Sequence, residues 1–346
     1  MRIAIVNDSM MAVESLRRVI TSVPDYELAW IANDGAEAIW RCGTDVPDLM
    51  LMDLIMPVID GVEATRKIMA ETPCAILVVT STVAGNASKV FQAMGHGALD
   101  AVNTPVLGMT GDAEGKDELL RKIATIAKLI RQRKGDSSEN LFRAAKPKTT
   151  PTHKNLVAIG SSSGGPKALA VLLHALPADF PAPIVIIQHV DEKFSAELAL
   201  WLNRQCALEV RLAEKGDSLE PGRALIAGNN NHLIVNSNGR LDYTPDPVDM
   251  VYRPSVDVFY ASIAEHWSGD VVAVLLTGMG RDGAQGLLTL RNKGVFTVAQ
   301  DETTCAVYGM PKAAAQLGAA EKILPLDDIA PELNQYFAGK KNRHVC

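Results

Sequence analysis

Short, largely apolar runs alternate along this chain with segments of helical periodicity, and this alternation restricts the possible folds more than any other feature. Runs without polar alternation are typical of strands buried on both faces, as in parallel sheets covered by helices. They occupy residues 2–6, 28–32, 49–52, 75–79 and 101–102 in the first half, and residues 156–159, 183–188 and 271–277 in the second. The pattern predicts an α/β protein built on doubly wound parallel sheets.

Length and composition indicate two domains. The chain has 346 residues, of which 47% are hydrophobic, and this is enough for two ordinary cores. Residues 131–153 are polar, basic and proline-bearing, which is typical of a linker. We therefore expect a first domain over residues 1–130, closed by a helix over residues 119–130, and a second domain over residues 154–346.

Charge, hydropathy and cysteine usage argue against several protein classes. The formal net charge of −6 disfavours nucleic acid as the main partner, because nucleic-acid-binding proteins usually carry a basic face. No run approaches the roughly 20 apolar residues of a membrane span, and the first residues lack the long apolar core of a signal peptide. We expect a cytoplasmic monomer that is not inserted in a membrane.

The five cysteines lack C-x-x-C spacing, so reduced thiols are expected rather than zinc or disulfides.

A serine-rich turn after residues 156–159 presents a candidate nucleophile. Pro166 opens a helical segment, so the glycines and serines before it form a tight strand-to-helix turn. Gly160, Ser162 and Gly164 have the spacing G-x-S-x-G, in which small neighbours let a sharp turn expose one hydroxyl. The alternative is a glycine-rich phosphate loop, which binds anions through backbone N–H groups and would make this domain a nucleotide-binding module.

Two further apolar runs end beside residue types that a serine nucleophile requires. His189 follows residues 183–188, and Asp282 lies in a glycine-rich loop after residues 271–277. Because parallel strands place their carboxyl ends at one edge of a sheet, Ser162, His189 and Asp282 can converge there. An imidazole can take the serine proton, and a carboxylate stabilises the imidazolium that forms. Taken singly, the histidine could be structural and the aspartate a turn former.

Residues 154–346 resemble the catalytic domain of the CheB family, the chemotaxis protein-glutamate methylesterases. The similarity is carried by Gly-Ser-Ser-Ser-Gly-Gly around Ser162, by Gln-His ending at His189, and by Thr-Gly-Met-Gly-Arg-Asp-Gly around Asp282. It implies a Rossmann-like domain in which these residues are the nucleophile, the base and the carboxylate partner of a Ser-His-Asp triad. It also implies an oxyanion donor at the backbone N–H of Met279.

The same resemblance extends to neighbouring positions and to the reaction. It implies that the hydroxyl of Ser163 helps to orient the histidine, and it includes the block Arg-Pro-Ser-Val-Asp over residues 253–257. Two departures are Ser161, where alanine is usual, and Arg281, where asparagine is common. The implied activity is hydrolysis of glutamate methyl esters on a methyl-accepting chemoreceptor to glutamate and methanol, with deamidation of receptor glutamine as a second activity. No cofactor is implied for this chemistry.

Two acidic residues in the first half are expected at one sheet edge. Asp8 comes shortly after residues 2–6, and Asp53 comes directly after residues 49–52. Neighbouring carboxylates repel one another unless a cation lies between them, and Mg²⁺ suits a site with few carboxylates and several waters. The sequence therefore predicts a Mg²⁺ site formed by Asp8 and Asp53.

Residues 1–130 resemble a response-regulator receiver domain, which has a flavodoxin-like fold. The similarity is carried by Asp-Leu-Ile-Met-Pro-Val-Ile-Asp-Gly beginning at Asp53, and by Gly-Ala-Leu-Asp before a final Thr-Pro. It implies that Asp53 accepts a phosphoryl group from a CheA-type histidine kinase. It also implies that Thr80 hydrogen-bonds the phosphate and reports its presence.

Two positions depart from the receiver pattern. Asn7 stands where an acidic residue is usual, which weakens the cation site, and Thr104 stands where a lysine would contact the phosphate. The alternative to a receiver domain that is phosphorylated is therefore one that has lost this chemistry and serves only as a packing partner. The Asn7-Asp8 and Asn103-Thr-Pro features are similar to the Wsp-type branch of these esterases, from surface-sensing systems that feed a diguanylate cyclase.

Overall fold

The computed structural model describes residues 1–83, 85–107, 113–132 and 155–341. The chain divides into two compact units between residues 136 and 137. Residues 133–153, which make up most of the predicted linker, lie outside the described residues.

The first unit contains a five-stranded parallel sheet with the strand order β2-β1-β3-β4-β5. Its strands are β1 (Arg2–Val6), β2 (Glu27–Ala32), β3 (Leu49–Met52), β4 (Ala75–Thr80) and β5 (Asp100–Asn103), followed by the short antiparallel pair β6 (Val106–Leu107) and β7 (Ala113–Glu114). Its helices are α1 (Met10–Thr21), α2 (Gly35–Thr44), α3 (Gly61–Glu71), α4 (Ala87–Gly95) and α5 (Lys116–Gln132). This order is that of flavodoxin-like folds, and the predicted fold of this half is confirmed.

Side-chain caps fix where three of these helices begin beside the carboxyl edge of the sheet. Ser9 accepts a hydrogen bond from the N–H of Ala12, and Asp34 and Asp60 cap α2 and α3 in the same way. Gly61 lies so close to the preceding strand that a Cβ there would come within 1.8 Å of the carbonyl oxygen of Asp53. Only glycine permits this approach, which brings α3 directly against the end of β3.

The second unit is built on a seven-stranded parallel sheet with the order β10-β11-β9-β8-β14-β15-β16. The strands are β8 (Leu156–Ser161), β9 (Ile184–Gln188), β10 (Glu209–Leu212), β11 (Arg223–Ile226), β14 (Val271–Leu275), β15 (Phe296–Gln300) and β16 (Lys322–Leu324), and β12 (His232–Val235) pairs with β13 (Leu241–Thr244) as an antiparallel hairpin. The helices are α6 (Gly165–His174), α7 (Glu192–Asn203), α8 (Val256–His266), α9 (Ala284–Asn292), α10 (Met310–Gln316) and α11 (Leu326–Lys341). The predicted doubly wound class is confirmed for this half too.

The strand order of the second unit places its functional edge. After β8 the chain continues to β9 on one side, and it later returns to β14 on the other side. Ligand sites of doubly wound sheets form at such a switch point, outside the carboxyl ends of the strands. All five residues of β9 and of β14 are buried, so only the loops that follow the strands are available for chemistry.

The four cysteines of the described residues are unpaired by disulfides, and Cys42 is buried while Cys74, Cys206 and Cys305 are half-buried.

Candidate active site

The serine-rich turn leaves the central strand of the second unit. Ser162 comes directly after β8, Gly164 adopts φ +79°, and α6 begins at the next residue. A Cβ on Gly164 would lie 2.5 Å from the side chain of Ala306, so glycine is required for both its conformation and its contact. The backbone of Ser162 is held on two sides, because its N–H donates to Thr277 (3.1 Å) and its carbonyl accepts from the side chain of Gln188 (2.9 Å).

His189 and Asp282 meet at the neighbouring strand ends. The N–H of His189 donates to the carbonyl of Ser161 (3.0 Å), which ties the loop after β9 to the end of β8. The Nε2 atom of His189 lies 2.8 Å from Oδ2 of Asp282, and both side chains are less than a tenth exposed. The other ring nitrogen, Nδ1, is buried and has no hydrogen-bond partner within the described part of the chain.

The Asp282 carboxylate is held by the start of α8. Its Oδ1 accepts hydrogen bonds from the hydroxyl of Ser255 (2.7 Å) and the N–H of Asp257 (3.1 Å), and its Oδ2 accepts from the N–H of Val256 (2.7 Å). Burial alone would raise the pKa of Asp282, but the hydrogen bond and charge of His189 and these donors outweigh it, so the pKa is lowered. Asp282 is therefore a fixed anion facing the imidazole. The block over residues 253–257 belongs to the family resemblance, but the sequence alone did not predict this role for it.

A second carboxyl group, that of Asp257, lies beside Asp282. It accepts a hydrogen bond from the N–H of Gly286 (2.6 Å) and is itself hydrogen-bonded to the Asp282 carboxylate. Burial and the negative charge of Asp282 raise the pKa of Asp257 to about 8. Of the two carboxyl groups, Asp257 therefore holds the proton at neutral pH and donates it towards Asp282.

The stability of this unit should consequently fall as pH rises towards about 8, the raised pKa of Asp257. Between the ordinary pKa of an aspartate and this raised value, the folded state holds a proton that the unfolded state releases, so the free energy of unfolding decreases with pH. Asp257→Asn cannot ionise and still offers one donor and one acceptor, so its stability should vary less with pH and should exceed that of the unsubstituted protein above pH 8. Thermal unfolding from pH 5 to pH 9 measures this, with the exposed Asp249→Asn as the control. Parallel curves for the protein and Asp257→Asn would contradict the assignment.

The loop after β14 lies against the serine. A Cβ on Gly278 would come within 2.8 Å of the Cβ of Ser162, so glycine at this position lets the loop that carries Met279 pass close to Ser162. Thr277 anchors the loop, since its N–H donates to the side chain of Gln300 (2.8 Å) and its hydroxyl donates to the carbonyl of Ser163 (2.9 Å). Met279 and Ser163 are both buried at this edge.

The two departures from the family pattern are accommodated without disturbing this edge. The hydroxyl of Ser161 donates to the side-chain oxygen of Gln188 (2.7 Å), so it is used inside the turn. Arg281 directly precedes Asp282 in the loop after β14 and is exposed.

Tyr252 is the residue of this edge that sequence reasoning missed. Its ring stacks on that of His189, with the ring centroids 4.1 Å apart and the planes at 4°. The available signal was an aromatic residue directly before the block over residues 253–257, and this signal does not by itself indicate which side chain the ring contacts.

The first unit brings its own predicted site residues together. Asp53 follows β3, and burial together with the nearby charge of Asp8 raises its pKa, despite hydrogen bonds from the N–H groups of Leu54 and Ile55 and from the hydroxyl of Thr80. A carboxylate with a raised pKa beside another acidic residue is a place where a cation would relieve repulsion. The Asp8 and Asp53 oxygens therefore fit Mg²⁺, with water filling most of the coordination sphere.

The atypical receiver positions have structural partners. Asn7 is buried, and its side-chain oxygen accepts from the N–H of Ser9 (2.8 Å), which closes the loop before α1. The N–H of Thr104 donates to the carbonyl of Thr80 (2.8 Å). Within the ranges that the structure describes, no group of three or more His, Cys, Asp and Glu side chains could hold a metal ion.

None of the helices among the described residues is both long enough and apolar enough to cross a membrane.

Comparison with known proteins matches both halves. The model of the CheB methylesterase family matches residues 157–333, and that of the response regulator receiver domain matches residues 3–109. Protein-glutamate methylesterase/protein-glutamine glutaminase 2 of Cupriavidus metallidurans is 58% identical over 333 residues, which are 96% of this chain and 97% of that protein. The protein-glutamate methylesterase/protein-glutamine glutaminase of the group 3 operon of Pseudomonas putida is 54% identical over 338 residues, which are 98% of this chain and 100% of that protein.

A solved structure supports the same assignment. The crystal structure of the CheB methylesterase catalytic domain of Thermotoga maritima is 37% identical, has a TM-score of 0.50, and covers 54% of this chain and 100% of that domain. Together with the parallel sheets and the strand-end sites described above, these matches place the chain in the CheB methylesterase family, with a response regulator receiver domain in its first half.

Proposed function

We propose that this chain is a phosphorylation-regulated protein-glutamate methylesterase. It hydrolyses glutamate methyl esters on a chemoreceptor to glutamate and methanol, and it deamidates receptor glutamine by the same acyl chemistry. The observation that carries the proposal is the buried pair of His189 and Asp282, 2.8 Å apart, beside the Ser162 turn. The printed names of relatives at 54–58% identity support the substrate class.

The proposed first step is attack of the Ser162 hydroxyl on the ester carbonyl. Because Nε2 of His189 faces Asp282, Nδ1 is the nitrogen that remains to accept the serine proton. The negative charge of Asp282 then stabilises the imidazolium. The N–H of Met279 is proposed to bind the oxyanion of the tetrahedral intermediate, and Ser163 to help orient the imidazole.

The second half of the cycle uses the same residues. His189 returns the proton to the departing methoxide, which leaves as methanol, and the acyl group stays on Ser162. The imidazole then takes a proton from water, which attacks the acyl-enzyme and releases the glutamate carboxylate. With a glutamine side chain, the first leaving group is ammonia and the product is again glutamate.

A serine-directed acylating probe distinguishes the proposed esterase from the alternative, a nucleotide-binding module. An esterase should be labelled at Ser162 and should release methanol from methylated receptor. A nucleotide-binding module should show neither result and should instead bind a nucleotide tightly.

The proposed regulation passes through Asp53, which accepts a phosphoryl group from a histidine kinase of the CheA type. Mg²⁺ held by Asp8 and Asp53 would neutralise charge on the transferred group. Phosphorylation adds about −1.5 to −2 charges, and the hydroxyl of the buried Thr80 is among the groups that hydrogen-bond the Asp53 carboxylate. In the unmodified state this hydroxyl also accepts from the side-chain amide of Asn86 (3.1 Å), so phosphorylation would reorganise an existing contact.

Treatment with a small acyl-phosphate donor and Mg²⁺ should raise methanol release several-fold in the unsubstituted protein. Asp53→Asn should show no rise, because it has no acceptor carboxylate, whereas the exposed Asp25→Asn should respond normally. The measurement is methanol release with and without donor. An equal response from Asp53→Asn would exclude Asp53 as the acceptor, and no response in any of the proteins would favour the receiver as a packing partner.

A further inference from the structure

The stacking of Tyr252 on His189 has consequences for the imidazole. With the planes at 4° and the centroids 4.1 Å apart, the phenol ring stacks face to face on the imidazole. A ring in this position restricts rotation of the imidazole about its bond to Cβ. Its π face also attracts a positive charge, so the contact strengthens when the imidazole becomes an imidazolium during the reaction.

The hydroxyl of Tyr252 is buried and has no hydrogen-bond partner among the described residues. A buried tyrosine hydroxyl normally finds a partner, because leaving a buried donor unsatisfied destabilises the folded state. Burial, reinforced by the charge of Asp282, raises the pKa of this phenol, so it stays protonated and remains a donor. An unpartnered donor at an active edge is a candidate for binding the substrate.

The hydroxyl of Tyr252 lies close to the loop that follows β14. Its oxygen lies 3.0 Å from the place that a Cβ would occupy on Gly280, in the loop that carries Met279. That loop also approaches Ser162, since a Cβ on Gly278 would come within 2.8 Å of the serine Cβ. The phenol oxygen therefore lies against the loop whose backbone is the proposed oxyanion donor.

We propose that Tyr252 is a further catalytic residue, whose ring holds the His189 imidazole and whose hydroxyl donates a hydrogen bond to the carbonyl oxygen of the bound ester. This inference rests on the proposed esterase function. The bond strengthens as that oxygen becomes the oxyanion, so it acts on the transition state more than on substrate binding. Glycine at position 280, with φ +86°, permits this close approach, because a Cβ there would lie only 3.0 Å from the phenol oxygen.

Two substitutions at Tyr252 distinguish the role of its ring from the role of its hydroxyl. Tyr252→Phe keeps the stack and removes the donor, and it should lower kcat by about 100-fold with little change in KM, as for loss of one oxyanion donor. Tyr252→Leu removes both features and should lower kcat further. The matched control is Tyr243→Phe, because the Tyr243 hydroxyl donates to the carbonyl of Ala213 (2.9 Å) and accepts from the N–H of Gly228 (2.9 Å). This control should lose stability and keep its kcat.

The experiment is methanol release from methylated receptor by the full chain, with thermal unfolding to show that each variant is folded. The unsubstituted protein and Ser162→Ala are measured in parallel. If the unsubstituted protein releases no methanol, the esterase function itself fails. If it is active and Ser162→Ala is inactive, but Tyr252→Phe retains the full kcat, the role of Tyr252 is overturned while the esterase function stands.

Discussion

Replacing Ser162 by alanine is expected to reduce methanol release from methylated receptor by about 10⁵-fold or more, as in other serine hydrolases that lose their nucleophile. The fold should be unchanged, because the substitution removes one oxygen and keeps both backbone hydrogen bonds, to Thr277 and to Gln188. Methanol release measures the activity, and the thermal unfolding midpoint measures the stability.

The chain supplies a close control at the neighbouring position. Ser161→Ala removes a hydroxyl one residue away, which donates to the side chain of Gln188 and faces the interior of the turn. This variant should remain active, with a loss of stability of about 1 kcal/mol for one buried hydrogen bond. If Ser161→Ala abolished turnover and Ser162→Ala did not, the nucleophile would be assigned to the wrong serine.

The centres of both sheets were predictable because strands such as β3, β8, β9 and β14 are short and buried throughout. The run at 49–52 is bounded by polar residues at both ends and forms β3 over those same residues. The positions of Ser162, His189 and Asp282 follow from a rule about parallel strands, and the order β9-β8-β14 makes their three loops neighbours. Local patterns and one topological rule therefore bring the predicted residues to one edge.

What surrounds the predicted residues depends on contacts between distant segments. Ser255 and Asp257 lie more than twenty residues before Asp282, and only the docking of the α8 N-terminus on the β14 loop makes them its partners. The stack of Tyr252 on His189 joins segments still further apart in the sequence. No local sequence pattern indicates these long-range contacts, because the residues at the start of α8 would also be suitable for the start of an ordinary helix. The protonation of Asp257 depends in turn on the burial that this docking creates.

Asp282→Asn is expected to lower kcat by about 10⁴-fold, because it removes the charge and disturbs the tautomer of His189. Besides the carboxyl group of Asp257, four groups donate to Asp282: the Ser255 hydroxyl and the Asp257 N–H at Oδ1, and the Val256 N–H and His189 at Oδ2. An amide offers only one acceptor oxygen. If its NH₂ group faces His189, Nε2 must become the acceptor and the ring proton moves to Nδ1, where it blocks removal of the serine proton.

The matched variant for this prediction is Ser255→Ala. It removes one donor to Asp282 and the side-chain cap of α8, whose loss costs about 1 kcal/mol, but it leaves the negative charge beside His189. Both substitutions therefore weaken the hydrogen bonds around the side chain at position 282. Only Asp282→Asn also removes the negative charge beside the His189 imidazole. Methanol release per folded molecule should fall far more for Asp282→Asn than for Ser255→Ala, with thermal unfolding used to correct for the folded fraction. Equal losses of methanol release in the two variants would mean that Asp282 acts by stabilising the loop. An Asp282→Asn protein that is unstable but has normal turnover would show that this aspartate only forms a turn.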